Sequence, residues 1–118
     1  MPVALGIVMS LDLALEISRD YKKQAFLRDE GRCRYCGLDF LHSLSAFWSY
    51  TADHIVAKSV GGRDILDNVV ISCKACNEAL CRAGHLLTFE DRLNYIASRE
   101  ADRTPIYQAW CDVLGRGG

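Results

Sequence analysis

The chain has 118 residues, half of them hydrophobic and a quarter charged, which fits one globular domain with a modest core and excludes a disordered or low-complexity chain. Its formal net charge of -1 excludes capture of nucleic acid by a global positive field, so any grip on phosphate has to come from a local face. The apolar run Val3 to Met9 is short, has no basic residue before it and is followed by Asp12 and Glu16, so neither a signal peptide nor a membrane span is expected.

In chain order, Ser10 is placed to cap a helix running to about Arg28, and Gly31 suits its C-terminal stop. Between Arg19 and Arg34 stand six basic residues (Arg19, Lys22, Lys23, Arg28, Arg32, Arg34) against three acidic ones (Asp20, Asp29, Glu30), a local +3. "CRYCG" makes a tight turn, and residues 38 to 50 are apolar and aromatic without clean periodicity, which suits a loop or short helical turn. Tyr50 to Ala57 reads as a strand, Gly61-Gly62 as a turn and Val69 to Ser72 as a second strand. Asn77 to Ala83 is expected to be helical, with Gly84 ending it. Thr88, with Asp91 three residues on, caps a helix to about Ser98, and Thr104-Pro105 opens a last one to about Leu114 before a fraying "GRGG" tail. The expected class is α+β in a single domain, 1–118. A small zinc-stapled ββα core at 33–84 lies between an N-terminal helical segment (1–32) and C-terminal helices (85–118).

Cys33-x-x-Cys36 and Cys73-x-x-Cys76 carry the strongest isolated signal. Two residues between cysteines let both sulfurs of a knuckle reach one metal, and two knuckles complete a closed tetrahedral thiolate site for structural zinc. Two redox pairs are the competing reading, but a thioredoxin-like motif would want a βαβ context that is missing here. Six cysteines in a chain expected to be cytosolic point to metal or free thiols rather than disulfides, with Cys81 and Cys111 read as core-facing thiols.

Between the knuckles lie Asp53-His54, Gly61-Gly62 and Asp67-Asn68-Val69-Val70, and Asn77 directly follows the last cysteine. This order and spacing, over residues 33 to 77, resembles the HNH nuclease family with its ββα-metal fold. The resemblance implies a metal-dependent endonuclease acting on DNA. His54 would be the general base that activates water, and Asp53 and Asn77 would be ligands of the catalytic divalent ion. Asn68 would fix the loop and orient the histidine. Where the family often has a lysine after the final Cys-Asn, this sequence has "NEALCR", leaving Arg82 as the nearest basic residue.

The chemistry is coherent apart from the family name. Hydrolysis of a phosphodiester needs a nucleophile near neutral pH, which histidine can generate, and positive charge on the phosphate and the leaving oxygen. An ion such as Mg²⁺, Mn²⁺ or Ni²⁺ held by a carboxylate and an amide oxygen could supply that charge. Neighbours on a regular strand point to opposite faces, which favours a division of labour between Asp53 and His54. Lys58 and Arg63 flank the Gly-Gly loop, and Arg32 and Arg34 straddle Cys33; with Arg82, these are the candidate phosphate contacts. His42 and His85 read as structural or surface histidines, and Trp48 and Trp110 as core. A homodimer or larger nuclease complex is conceivable, since one nuclease site makes nicks and paired sites make double-strand breaks. The alternative function is a non-catalytic zinc module that binds nucleic acid or a protein partner.

Overall fold

The computed structural model describes residues 10–117. The apolar run at Val3 to Met9 and the terminal Gly118 therefore lie outside the described residues. The chain folds as α+β, with five helices and one two-stranded sheet among the described residues.

The N-terminal helical stretch is two helices rather than the one expected. In α1 (Leu11–Arg19) the Ser10 side chain accepts from the Leu13 N–H. Asp20 then takes an extended conformation (φ -135°, ψ 111°), and its carboxylate accepts from the Lys22 N–H to start α2 (Tyr21–Arg28). An acidic side chain that bonds its own downstream amides competes with a continuous helix, and here that competition wins. The Gly31 N–H donates to the Phe26 carbonyl and closes the turn after α2. A short helix, α3 (Leu44–Trp48), is capped by Ser43.

The sheet pairs β1 (Tyr50–His54) antiparallel with β2 (Val69–Cys73), in a register that sets Tyr50 opposite Cys73 and His54 opposite Val69. All five residues of β2 are buried. That explains why Val69, Val70 and Ile71 form an uninterrupted apolar run, because a strand covered on both faces has no reason to alternate. The first strand stops at His54, three residues short of the expected end. Past that point the chain turns through a 3-10 turn (Lys58–Val60) into the Gly-Gly bend. Gly61 sits at φ 98°, and a Cβ on Gly62 would lie 1.7 Å from the Val56 carbonyl oxygen, so only glycine fits there.

The helix after the second knuckle, α4 (Lys74–Arg82), starts three residues earlier than expected, because Cys73 itself caps it through its sulfur. The two expected C-terminal helices are one, α5 (Phe89–Leu114), of 26 residues with Pro105 inside. Residues 99–103 are mostly good helix formers, so the chain reaches Pro105 already helical. The Thr104 hydroxyl donates to the Glu100 carbonyl there, at 2.8 Å. The tail is closed rather than frayed at its start: Gly115 takes the left-handed conformation and the Arg116 N–H donates to the Cys111 carbonyl.

One hydrophobic cluster joins the segments, with Ala25 from α2, Tyr35 and Phe40 from the first knuckle and its loop, Ile71 from β2, Leu80 from α4 and Ile96 from α5. Only the first half of α5 packs on it. Beyond Glu100 the helix is exposed except at the half-buried Cys111, and Trp110, expected in the core, is 62 % exposed, as Trp48 is at 77 %.

Candidate functional site

The four paired cysteines converge. Their Sγ atoms all lie within 4.8 Å of one another, and Cys33, Cys73 and Cys76 are buried. A zinc ion bound by four sulfurs at about 2.3 Å requires edges of roughly 3.8 Å between them. Cys36 Sγ and Cys73 Sγ stand 3.7 Å apart, so the donor set and its size fit. In each knuckle the backbone N–H of the second cysteine points at the sulfur of the first, at 3.5 Å for Cys36 and 3.4 Å for Cys76. Hydrogen bonding from Cys36 pulls the Cys33 thiol down, while bonding with Cys33 pushes the Cys76 thiol up. Like charges so close resist joint ionisation, so a cation is what would allow four thiolates here. Cys81 is exposed and Cys111 partly buried; neither joins the cluster.

The cage lies at the hinge of the ββα unit. Cys73 ends β2 and starts α4, so binding there fixes how α4 leaves the sheet. The result is an open cavity of about 570 Å³ lined by Asp53 and His54 from β1, Asn77 and Leu80 from α4, Lys58, His85 and, from α5, Arg92. Three of the four expected catalytic residues thus share one hollow; the fourth, Asn68, does not line it. Asn68 pins the inter-strand loop, accepting from the Val56 N–H and donating to the carbonyls of Val56 and Arg63, each at 3.0 Å.

Asp53 and His54 diverge as neighbours on a strand must. The His54 ring turns toward α2 and the loop, edge-on to Tyr21, with Nε2 2.7 Å from Asp64 Oδ1. Asp64 also accepts from Lys58 Nζ at 2.8 Å and from the Tyr21 hydroxyl at 3.2 Å. The Lys58 ammonium, followed by the bond from His54, holds the Asp64 carboxyl down at about 2. An ionised Asp64 can only accept, so Nε2 carries the hydrogen of this bond and Nδ1 is the ring nitrogen it leaves over.

Asp53 turns inward and is buried. Arg92 Nη2 donates to both its oxygens at 2.8 Å, and the Tyr35 hydroxyl donates to Oδ2 at 2.5 Å. Burial and the Asp53 charge push the Tyr35 hydroxyl well above its ordinary value, so it stays a donor. Oδ1 therefore carries one hydrogen bond and keeps a second lone pair, and Asn77 lines the same cavity.

The basic residues sort unevenly. Lys58 lines the cavity, and Arg63 and Arg82 are exposed. Arg32 and Arg34 are exposed beside Cys33 and do not line it. Arg32 pairs with Asp39 at 3.5 Å, and Arg34 donates to Asp29 at 2.9 Å and lies over the Phe89 ring at 4.9 Å. Arg28 also grips Asp29 and reaches the carbonyls of Leu66 and Val69. Two of the six basic residues of this stretch, Arg28 and Arg34, therefore help hold α2 to β2 through Asp29. Asp64, Arg92, Tyr35 and His85 were not singled out as site residues from the sequence; Asp64, four residues before Asn68, was the one with a local cue.

Residues 33–82 match the family model described as HNH endonuclease. No curated protein matches the chain.

Proposed function

We propose that this chain, with an HNH endonuclease match across its ββα core, is a metal-dependent endonuclease that hydrolyses phosphodiester bonds in DNA. The observation that carries this reading is the shared cavity: Asp53, His54 and Asn77 line it together, held there by a sheet and helix joined at the sulfur cage. Zinc in the four-cysteine cage is structural, since all four positions are filled by protein and none is open to substrate.

His54 is the general base. Asp64 holds Nε2–H, so Nδ1 takes the proton from a water aimed at phosphorus. Asp53 Oδ1 and the Asn77 amide oxygen would hold a divalent cation, Mg²⁺ or another such as Mn²⁺ or Ni²⁺, which when bound supplies positive charge to the scissile phosphate and the leaving oxygen. Asn68 keeps the loop that carries Lys58 and Asp64 in register with β1. Lys58 on the cavity rim, with Arg63 and Arg82 on the exposed surface, would steady the flanking phosphates, a role that fixes position without reading sequence. Arg32 and Arg34 lie outside the cavity, each with one nitrogen on a carboxylate, and their remaining N–H groups on the exposed surface would steady phosphates farther from the cut.

The test is nicking of supercoiled plasmid by zinc-loaded protein with Mg²⁺, Mn²⁺ or Ni²⁺. Wild type should nick, and His54→Ala, with its zinc retained, should fall by about 10²- to 10⁴-fold. Equal nicking by the two sinks the assignment. A second reading, a zinc module that binds DNA or a partner without cutting, is favoured by one observation, the closure of Asp53 by Arg92. It predicts no nicking by wild type and binding that His54→Ala leaves intact.

A further inference from the structure

Arg92 is the only cavity-lining residue contributed by α5, and it lies outside residues 33–82. Its side chain is only 10 % exposed, and all three of its nitrogens make hydrogen bonds. Nε donates to the Tyr35 hydroxyl at 3.0 Å, and Nη1 donates to the carbonyls of Ile55 at 3.5 Å and Leu86 at 3.2 Å. Nη2 donates to both oxygens of Asp53. Its charge is matched by the Asp53 carboxylate, and among the expected catalytic residues Asp53 is the one it bonds.

We propose that Arg92 and the divalent cation are competing partners of Asp53, so that α5 holds the site in a low-affinity state for the cation. The proposal rests on the nuclease reading for the assignment of Asp53 as a cation ligand. A guanidinium does not lose its charge in a protein, so Arg92 cannot make room by deprotonating. The free lone pair on Oδ1 lies beside Nη2, and a cation there has to displace that group or bind against its repulsion. Either course lowers the apparent affinity. Linkage makes the effect reciprocal: occupancy of the cation site loosens Arg92 from Asp53, and with it the anchoring of α5 to Tyr35 and Ile55. A group that merely oriented the carboxylate would act in the opposite sense, since removing it would weaken cation binding.

The experiment measures Mn²⁺ binding to zinc-loaded protein by electron paramagnetic resonance of the free ion, for wild type, Arg92→Gln and Asp53→Asn. Arg92→Gln should bind at least about tenfold more tightly than wild type, and Asp53→Asn should lose binding. Equal or weaker binding by an Arg92→Gln protein that keeps its zinc and helical circular dichroism overturns the proposal, as does wild-type affinity in Asp53→Asn. Should Arg92→Gln fail to fold, the wild-type protein still decides. Titration with Mg²⁺ should move the Arg92 Nε–H nuclear magnetic resonance signal with the midpoint of cation binding, and a signal unmoved at saturation overturns the competition. The two readings fail separately. Mn²⁺ binding that needs Asp53 but is indifferent to Arg92 removes the competition and spares the nuclease, whereas nicking that ignores His54 removes that nuclease mechanism and spares the competition.

Discussion

Asn68 holds Val56 by both of its backbone groups, accepting its N–H and donating to its carbonyl at 3.0 Å, as a neighbouring strand would. The amide side chain thus continues the β1–β2 ladder past the point where the strands part. Asn68→Asp removes the donor and sets a carboxylate oxygen against the carbonyls of Val56 and Arg63. A loss of about 2 kcal/mol is expected, read as a lower midpoint in urea unfolding. An unchanged midpoint would mean that the loop does not depend on this anchor.

Asp64 is the group that fixes the tautomer of His54. Asp64→Asn keeps the shape of the side chain but removes the charge that favours a proton on Nε2. Nicking should fall by about 10²-fold, less than the full loss expected from removing the base. DNA affinity in a filter-binding assay should change little. A fall in affinity alone, with the rate on bound DNA intact, would point instead to a phosphate contact.

Asp29 is buried, and burial alone would raise its carboxyl; the hydrogen bonds from Arg28, the Ile71 N–H and Arg34 outweigh that and hold it below its ordinary value. A depressed carboxyl contributes stability that is fully present above its unfolded-state pKa, near 3.9, and is lost as pH falls through the lower folded value. Asp29→Asn should therefore cost about 3 kcal/mol at pH 7, with Arg28 and Arg34 left without their partner. The gap between variant and wild type should close as the pH drops below about 4. Urea midpoints across pH 2 to 7 give both numbers, and a gap that does not narrow would rule out this ion cluster as its source.

Removal of zinc should unfold the centre of the molecule rather than merely silence it. The cage joins the first knuckle to the junction of β2 and α4, and the free energy of structural zinc sites, on the order of 10 kcal/mol, exceeds the stability of most small domains. Chelation followed by far-ultraviolet circular dichroism should show a large loss of ordered structure, reversed by zinc and not by Mg²⁺. Retained structure in zinc-free protein would make the cage dispensable for folding.

The cage and the order Asp53, His54, Asn68, Asn77 were legible because each is a short-range pattern: a knuckle, a strand pair, a turn and a helix start. The residues that engage these groups were not. Arg92 reaches Asp53 across 39 positions, and nothing local to "EDRLN" distinguishes it from a solvated helix charge. For a related reason, charge counted along the chain does not reveal that Asp29 is buried and takes two arginines of the basic stretch before the first knuckle. The break at Asp20 and the continuity through Pro105 were both decided by single side-chain hydrogen bonds or neighbouring helix propensity, where competing local rules nearly balance.

Arg92 also bears on where the molecule can be cut. A fragment ending at residue 82, the last position of the family match, would keep Asp53 beneath Tyr35 but strip it of its counter-charge and of Ile96 from the cluster below. A piece that keeps both therefore reaches into α5 as far as Ile96, and transplanting the bare ββα unit would leave the Asp53 charge unpaired.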